Sequence, residues 1–255
     1  MSKSRKLKKA KPSKRVGSKK KKGKFGPPHP WRLCPLGKHW VRIHPLRIPP
    51  SSKVPKERTT DRDGHCSENP SHKDSIYPIE LAAIAERRFS RLAGLPKADD
   101  LGYQNGNKYD DLIRGWTRYW NEILSPQEPL DPDLVKALIA TESRFKPEAK
   151  PPGGSSNAAR GLMQITNKTR KILSDDDGEL SDHIINIQRN EVTDPNLNIA
   201  AGIRWLFRKK QIAESKIGKK ATWRDAVAEF KDYDGDPGSS QMEKFDNLYK
   251  RLKSK

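Results

Sequence analysis

Residues 131–145 read DPDLVKALIATESRF, and this stretch decides the fold. Asp131 supplies an N-cap acceptor, Pro132 stands at the first helical position where no donor is missed, and Asp133 lies near the positive end of the helix dipole. Val135, Leu138 and Ile139 then fall at i, i+3 and i+4, the spacing of a buried helical face. The next member of that stripe, at i+7, is Glu142. An acid stands where an apolar residue is due. Pro147 disfavours helix at Lys146, so Glu142 belongs to the last turns, where a core can open into a cleft. A carboxyl group on a half-buried face is desolvated, which raises its pKa and retains the proton that a general acid donates. A plainer role fits the same position: a salt bridge at the edge of the stripe, with Arg160 or Arg204 as partner.

Helical periodicity extends in both directions from this segment. Upstream, Ile79, Leu81, Ala82, Ile84, Ala85 and Phe89 predict one amphipathic helix, and Tyr109, Leu112, Ile113, Trp116, Trp120 and Leu124 a second. Downstream, Gly161-Leu162-Met163-Gln164-Ile165 is expected to open another, with Leu162, Ile165, Thr169 and Ile172 on one face. Asp194-Pro195 repeats the cap-plus-proline start before a stripe of Ile199, Ile203, Leu206 and Phe207, with Gly202 permitting close helix contact. Thr222 and Asp225 resemble a capping box and lead into Trp223, Ala226, Val227 and Phe230. No alternating run demands a sizeable sheet. The fold class is mainly α, with residues 77–255 as one helical domain.

The rest of the chain differs in kind. Apolar residues make up 33% of the 255, below what an ordinary globular chain carries, so part of it is not packed. Residues 1–56 hold 19 of the 52 Lys and Arg and no Asp or Glu, the first acid being Glu57. The formal charge of +20 therefore sits almost entirely in that first fifth, which excludes a uniformly basic, histone-like domain. Residues 1–26 are expected to be a disordered lysine-rich arm, suited to an anionic cell-wall polymer, lipid or nucleic acid, or else to solubility alone. No apolar run is long enough for a membrane span, and no apolar core follows the basic N-terminus as in a secretory signal.

Residues 27–76 predict a small proline-rich module of short extended pieces, with Trp31, Leu33, Trp40, Val41, Ile43, Leu46 and Ile48 as its core. It concentrates both cysteines and five of the six histidines, His29, His39, His44, His65 and His72. Cys34, His39, His44 and Cys66, with His65 beside the last, supply nitrogen and sulfur ligands for a structural tetrahedral zinc. A Cys34–Cys66 disulfide and unliganded side chains are the alternatives.

Three motifs in order carry a resemblance: Glu142-Ser143-Arg144-Phe145-Lys146-Pro147-Glu148-Ala149, Ala158-Ala159-Arg160-Gly161-Leu162-Met163-Gln164, and Asp194-Pro195-Asn196-Leu197-Asn198-Ile199 with Gly202. Together they resemble the soluble lytic transglycosylase, or goose-type lysozyme-like, family across residues 128–235. The resemblance implies a lysozyme-like helical domain that cleaves the β-1,4 bond between N-acetylmuramic acid and N-acetylglucosamine in peptidoglycan. Glu142 would be the one acid and base, and the product a 1,6-anhydro sugar made without metal or organic cofactor. Ser143 and Gln164 would orient the acid and bind sugar, and Met163 would line the cleft. The family's downstream tyrosine motif is altered here, with Phe230 in the tyrosine's place and Tyr233 one helical turn on; both are candidate substrate-binding residues.

The loop at residues 150–157 is longer than the family's, which leaves Ser155 and Ser156 unassigned. Asp175, Asp176, Asp177 and Glu179, or Asp232 and Asp234 beside Tyr233, are extra acids. One acting as base on water would make an inverting muramidase instead. A rival of another class is a basic nucleic-acid or cell-wall-binding protein with an inactive helical domain. The resemblance places action in the periplasm or cell wall. A chain without a secretory signal is then expected to be cytoplasmic before release, with a secretion-system or phage-particle partner as its route.

Overall fold

A computed structural model describes residues 29–48, 58–71, 73–151, 153, 155, 157–180, 182–232 and 240–254. The expected basic arm, His72, Ser156 and Tyr233 lie outside these residues. The helices are α1 (Pro78–Arg88), α2 (Asp110–Leu124), α3 (Pro132–Ser143), α4 (Asn167–Leu173), α5 (Pro195–Ile217), α6 (Trp223–Phe230) and α7 (Ser240–Lys253). None is long and apolar enough to cross a membrane.

The starts read from sequence are made by the expected groups. Asp131 accepts from the backbone N of Asp133 at 2.9 Å, and Asp194 from that of Leu197 at 2.9 Å. Thr222 and Asp225 form both halves of the capping box. α3 is packed by α2 on one side and by α7 on another, and every residue from Asp133 to Ala140 is buried. The C-terminal helix α7 adds to the six helices that periodicity predicts. Its Met242, Phe245 and Leu252 are buried in the core, Leu248 and Tyr249 pack against it, and its remaining residues are polar. α5, the longest helix at 23 residues, lies against α1, α2, α4 and α6.

One predicted helix start is displaced. Gly161, at φ +79°, and Gln164, at φ +48°, take left-handed conformations that an α-helix excludes. Residues 161–164 therefore form a turn, closed by the Arg160–Ile165 bridge, and α4 begins only after Thr166, whose hydroxyl caps the N of Thr169 at 3.0 Å.

The N-terminal segment is built of antiparallel pairs. β1 (Lys38–Val41) pairs with β4 (His65–Glu68), and β2 (His44–Ile48) with β3 (Arg58–Arg62). It does not keep a core to itself. Trp31 packs against the helical core beside Phe89 and Tyr119, and Ile43 is 67% exposed. Leu46 and Ile48 lie in β2, but their side chains are outside the described set. A further pair, β5 (Ser75–Ile76) with β6 (Ile184–Ile185), is parallel and stitches the segment's end to a loop before α5.

The firmest joint is a buried charge cluster. The Arg32 guanidinium donates to Asp74 at 2.9 and 3.1 Å and to Glu80 of α1 at 2.5 and 3.2 Å. All three side chains are fully buried. Burial alone would push the Asp74 carboxyl up, but the hydrogen bond from His183 and the Arg32 charge outweigh it and hold Asp74 below its ordinary value.

Candidate functional site

Glu142 occupies the last turn of α3, on the stripe of Val135, Leu138 and Ile139, and its side chain is 16% exposed. Immediately beyond it the chain reverses through two consecutive left-handed residues, Arg144 at φ +53° and Phe145 at φ +59°. Each costs about 1–2 kcal/mol for a residue with a Cβ. Phe145 is fully buried against Tyr103, and that burial offsets the strain. The reversal delivers Ala149 to the turn at 161–164. Its carbonyl accepts from Gly161 N at 3.2 Å and from Gln164 Nε2 at 3.0 Å.

Asn198 fixes that turn from the other side. Fully buried on α5, it donates to the carbonyls of Arg160 at 3.1 Å and Val192 at 2.7 Å and accepts from Met163 N at 2.7 Å. A Cβ at Gly161 would lie 2.2 Å from its amide nitrogen, so the motif's glycine is a steric necessity. The sequence marked Asn198 only as part of a motif; its bracketing role depends on contacts 35 and 38 residues away.

A cleft of about 490 Å³ lies beside this turn, lined by Gln164, Thr169, Trp205, Lys209, Phe230 and Asp232 among others. Lys231 sits between the last two. Its side chain is 3% exposed, and its ammonium donates to Glu142 Oε1. Neither Arg160 nor Arg204 partners Glu142. Arg204 instead donates to the carbonyls of His183 at 3.1 Å and Asp182 at 3.0 Å, and burial lowers its pKa to about 10. Lys209 bridges Glu229 and Asp232, each at 3.2 Å, beneath the Trp205 ring. A larger groove of about 690 Å³ between α1, α2 and the start of α5 contains none of the predicted site residues.

The candidates read from sequence thus divide. Gln164 and Phe230 line the cleft; Glu142 is not among its lining residues and is tied to it through Lys231, which stands between the lining residues Phe230 and Asp232. Ser143 is 5% exposed and donates back to the Ile139 carbonyl at 3.2 Å, within its own helix. Met163 is fully buried, its sulfur pressed towards Gly202, where a Cβ would come within 2.3 Å. In this arrangement it is core and not cleft wall. Lys231, Lys209 and Trp205 were missed. Lys231 followed the last apolar residue of a predicted helix, which gave no reason to expect it inside.

The zinc reading is corrected by the N-terminal segment's own geometry. Cys34 and Cys66 are joined in a disulfide, and sulfurs so joined are not thiolate ligands. His39 Nδ1 is hydrogen-bonded to Asn69 Oδ1 at 2.9 Å, and His44 Nδ1 to the Arg42 carbonyl at 3.0 Å. Among the described residues, no group of three His, Cys, Asp or Glu side chains is arranged to hold a metal ion.

Residues 119–227 match the family described as the transglycosylase SLT domain. Among solved structures, the 70 kDa soluble lytic transglycosylase of Escherichia coli is similar at 20% identity and a TM-score of 0.34. The likeness covers 68% of this chain but only 30% of that protein's length. No curated protein matches the chain.

Proposed function

From the match of residues 119–227 to the transglycosylase SLT domain, we propose that the chain cleaves peptidoglycan glycan strands with Glu142 as its single acid and base. One observation carries the reading. The residue that breaks the apolar stripe of α3 stands inside the matched region, partly exposed, and is ion-paired to Lys231, whose chain neighbours Phe230 and Asp232 line a cleft together with Gln164.

In this reading protonated Glu142 donates to the glycosidic oxygen as the bond to the muramoyl anomeric carbon breaks. The substrate's own N-acetyl group stabilises the positive centre. Glu142, now a carboxylate, accepts the proton of the muramoyl C6 hydroxyl as that oxygen closes on the anomeric carbon. The product is a 1,6-anhydro sugar, and no water enters. One enzyme carboxylate suffices, unlike the pair that most glycosidases use. Gln164, tied by its Nε2 to the carbonyls of Ala149 and Gly161, is a rigid element for sugar binding, and Phe230 an apolar one. The lysine-rich N-terminal segment is assigned to an anionic polymer, and the place of action to the periplasm or cell wall.

The experiment is digestion of purified sacculi by the full chain, with mass spectrometry of the released muropeptides. Anhydro products are expected from the wild type, with a loss of about 10²–10⁴-fold in Glu142→Gln, the usual range for removing a general acid. Reducing ends in place of anhydro ends would instead assign a hydrolase. For that reaction the exposed Asp232 at the cleft is the carboxylate to test next. No release by the wild type would overturn the reading.

A further inference from the structure

We propose that Lys231 is the positioning residue for Glu142, holding one carboxyl oxygen so that the other carries the reacting proton. The inference rests on the reading of Glu142 as the acid. Its basis is the allocation of charges along the end of α6. Lys209 is shared between Glu229 and Asp232 and covered by Trp205, and Lys216 also donates to Glu229, at 2.9 Å. Lys231 is the most buried of the three, at 3% exposure against 11% and 47%, and among the described residues its ammonium reaches Glu142 alone. An ammonium withdrawn from water this far needs an acceptor facing it. Among the described residues that acceptor is Glu142.

The two oxygens of Glu142 are not equivalent in this arrangement. Oε1 accepts from Lys231, and among the described residues Oε2 takes no hydrogen bond. A carboxylic acid carries its proton on one oxygen and accepts on the other. With Oε1 occupied by an ammonium, the proton resides on Oε2, and rotation of the carboxyl group is resisted by the bond to Lys231. When Oε2–H passes to the glycosidic oxygen, the C–O bond breaks with its electron pair on that oxygen, and the transferred proton neutralises it. The negative charge appears on Glu142 beside an ammonium already in place, which favours this half of the reaction. Oε2 then takes the C6 hydroxyl proton, and the acid is restored. Lys231 neither gives nor takes a proton in the cycle.

The test compares kcat and KM for sacculus solubilisation by the wild type, Lys231→Met and Lys231→Arg, with Glu142→Gln alongside. Lys231→Met keeps the length and packing and removes the charge. Its kcat is expected to fall about 10²-fold, the size of losing one preorganised donor, while KM stays within about twofold. Lys231→Arg keeps charge and donors and is expected to recover kcat to within about tenfold of wild type. Lys231→Gln replaces Lys231→Met in the comparison if the latter does not fold. A charge-removing variant with wild-type or higher kcat would overturn the assignment, as would a loss that arginine does not rescue and that KM shares. Were the wild type itself inactive, the function would fall and this inference with it. An active wild type, a dead Glu142→Gln and an unaffected Lys231→Met would remove the Lys231 assignment alone.

Discussion

Replacing Arg32 by methionine removes, among the described residues, the one guanidinium bonded to two fully buried carboxylates while keeping the side chain's bulk. Breaking a buried ion pair by deleting one partner costs about 3–5 kcal/mol, because the remaining charge is left without water or counterion. Here one guanidinium serves both Asp74 and Glu80, which places the loss at the upper end. Two contacts survive and limit it: His183 Nδ1 to Asp74 at 3.0 Å, and Leu33 N to Glu80 at 3.0 Å. The expected destabilisation is therefore about 4–5 kcal/mol at neutral pH. For a domain of this size that lowers the melting temperature by roughly 10–15 °C.

The pH dependence gives the mechanism away. In the wild type Asp74 is held below its ordinary pKa, so its contribution is present above the unfolded value of 3.8 and is lost as pH falls through the lower folded one. In Arg32→Met the same carboxyl is buried without its guanidinium, and protonation relieves the cost. Acidification thus weakens the wild type more than the variant, and the gap narrows towards pH 4. Urea unfolding followed by tryptophan fluorescence at several pH values measures both quantities. A gap at neutral pH no larger than an exposed ion pair, below about 1 kcal/mol, would show that the cluster is not a buried joint. So would a gap of constant size across the titration.

Gly202→Ala places a methyl 2.3 Å from Met163 Sδ and 2.7 Å from its Cβ, so the 161–164 turn must shift. We expect a loss of about 1–3 kcal/mol from overpacking, together with reduced sacculus cleavage; unchanged urea midpoint and activity would count against the close contact. The Cys34–Cys66 bridge spans a separation of 32 residues, for which loop closure predicts about 3–4 kcal/mol. Cys34→Ser with Cys66→Ser should lower the melting temperature in calorimetry, and dithiothreitol should do the same to the wild type but not to the double variant. Equal melting of oxidised wild type and double variant would show that the bridge contributes nothing.

What the sequence disclosed was what neighbouring residues decide. Asp131, Asp194 and Thr222 cap their helices through atoms two or three residues away, so each start could be read from a few letters. Glu142 was legible for the same reason: its i+7 position is a local relation, and so is the violation it represents. The turn at Gly161–Gln164 was not, because its left-handed residues are held by Asn198 from another helix. α7 stayed hidden because its buried residues are diluted by lysines and acids on a mostly polar helix. Arg32 was one of 19 bases in the first 56 residues, with nothing in its neighbours to distinguish a buried guanidinium from a solvated one. The partner of Glu142, 89 residues away, lay beyond any periodicity.

Three buried ion-pair clusters among the described residues show that pairing by itself does not separate a structural one from a reactive one. Arg32 with Asp74 and Glu80 is sealed at every atom of its side chains. Lys136, also sealed, is held by Asp110 together with the Lys97 carbonyl and Asn107, each at 2.7–2.9 Å. Both clusters have their donors filled from several directions, as a joint between elements requires. Glu142 and Lys231 differ in kind: a single bond links them, the carboxylate keeps 16% of its side chain in contact with solvent, and the residues on both sides of Lys231 line a cleft. A group that must exchange a proton with a substrate needs burial enough to exclude bulk water and one unfilled oxygen within reach. Of the three ion pairs, that combination is met only at the end of α3.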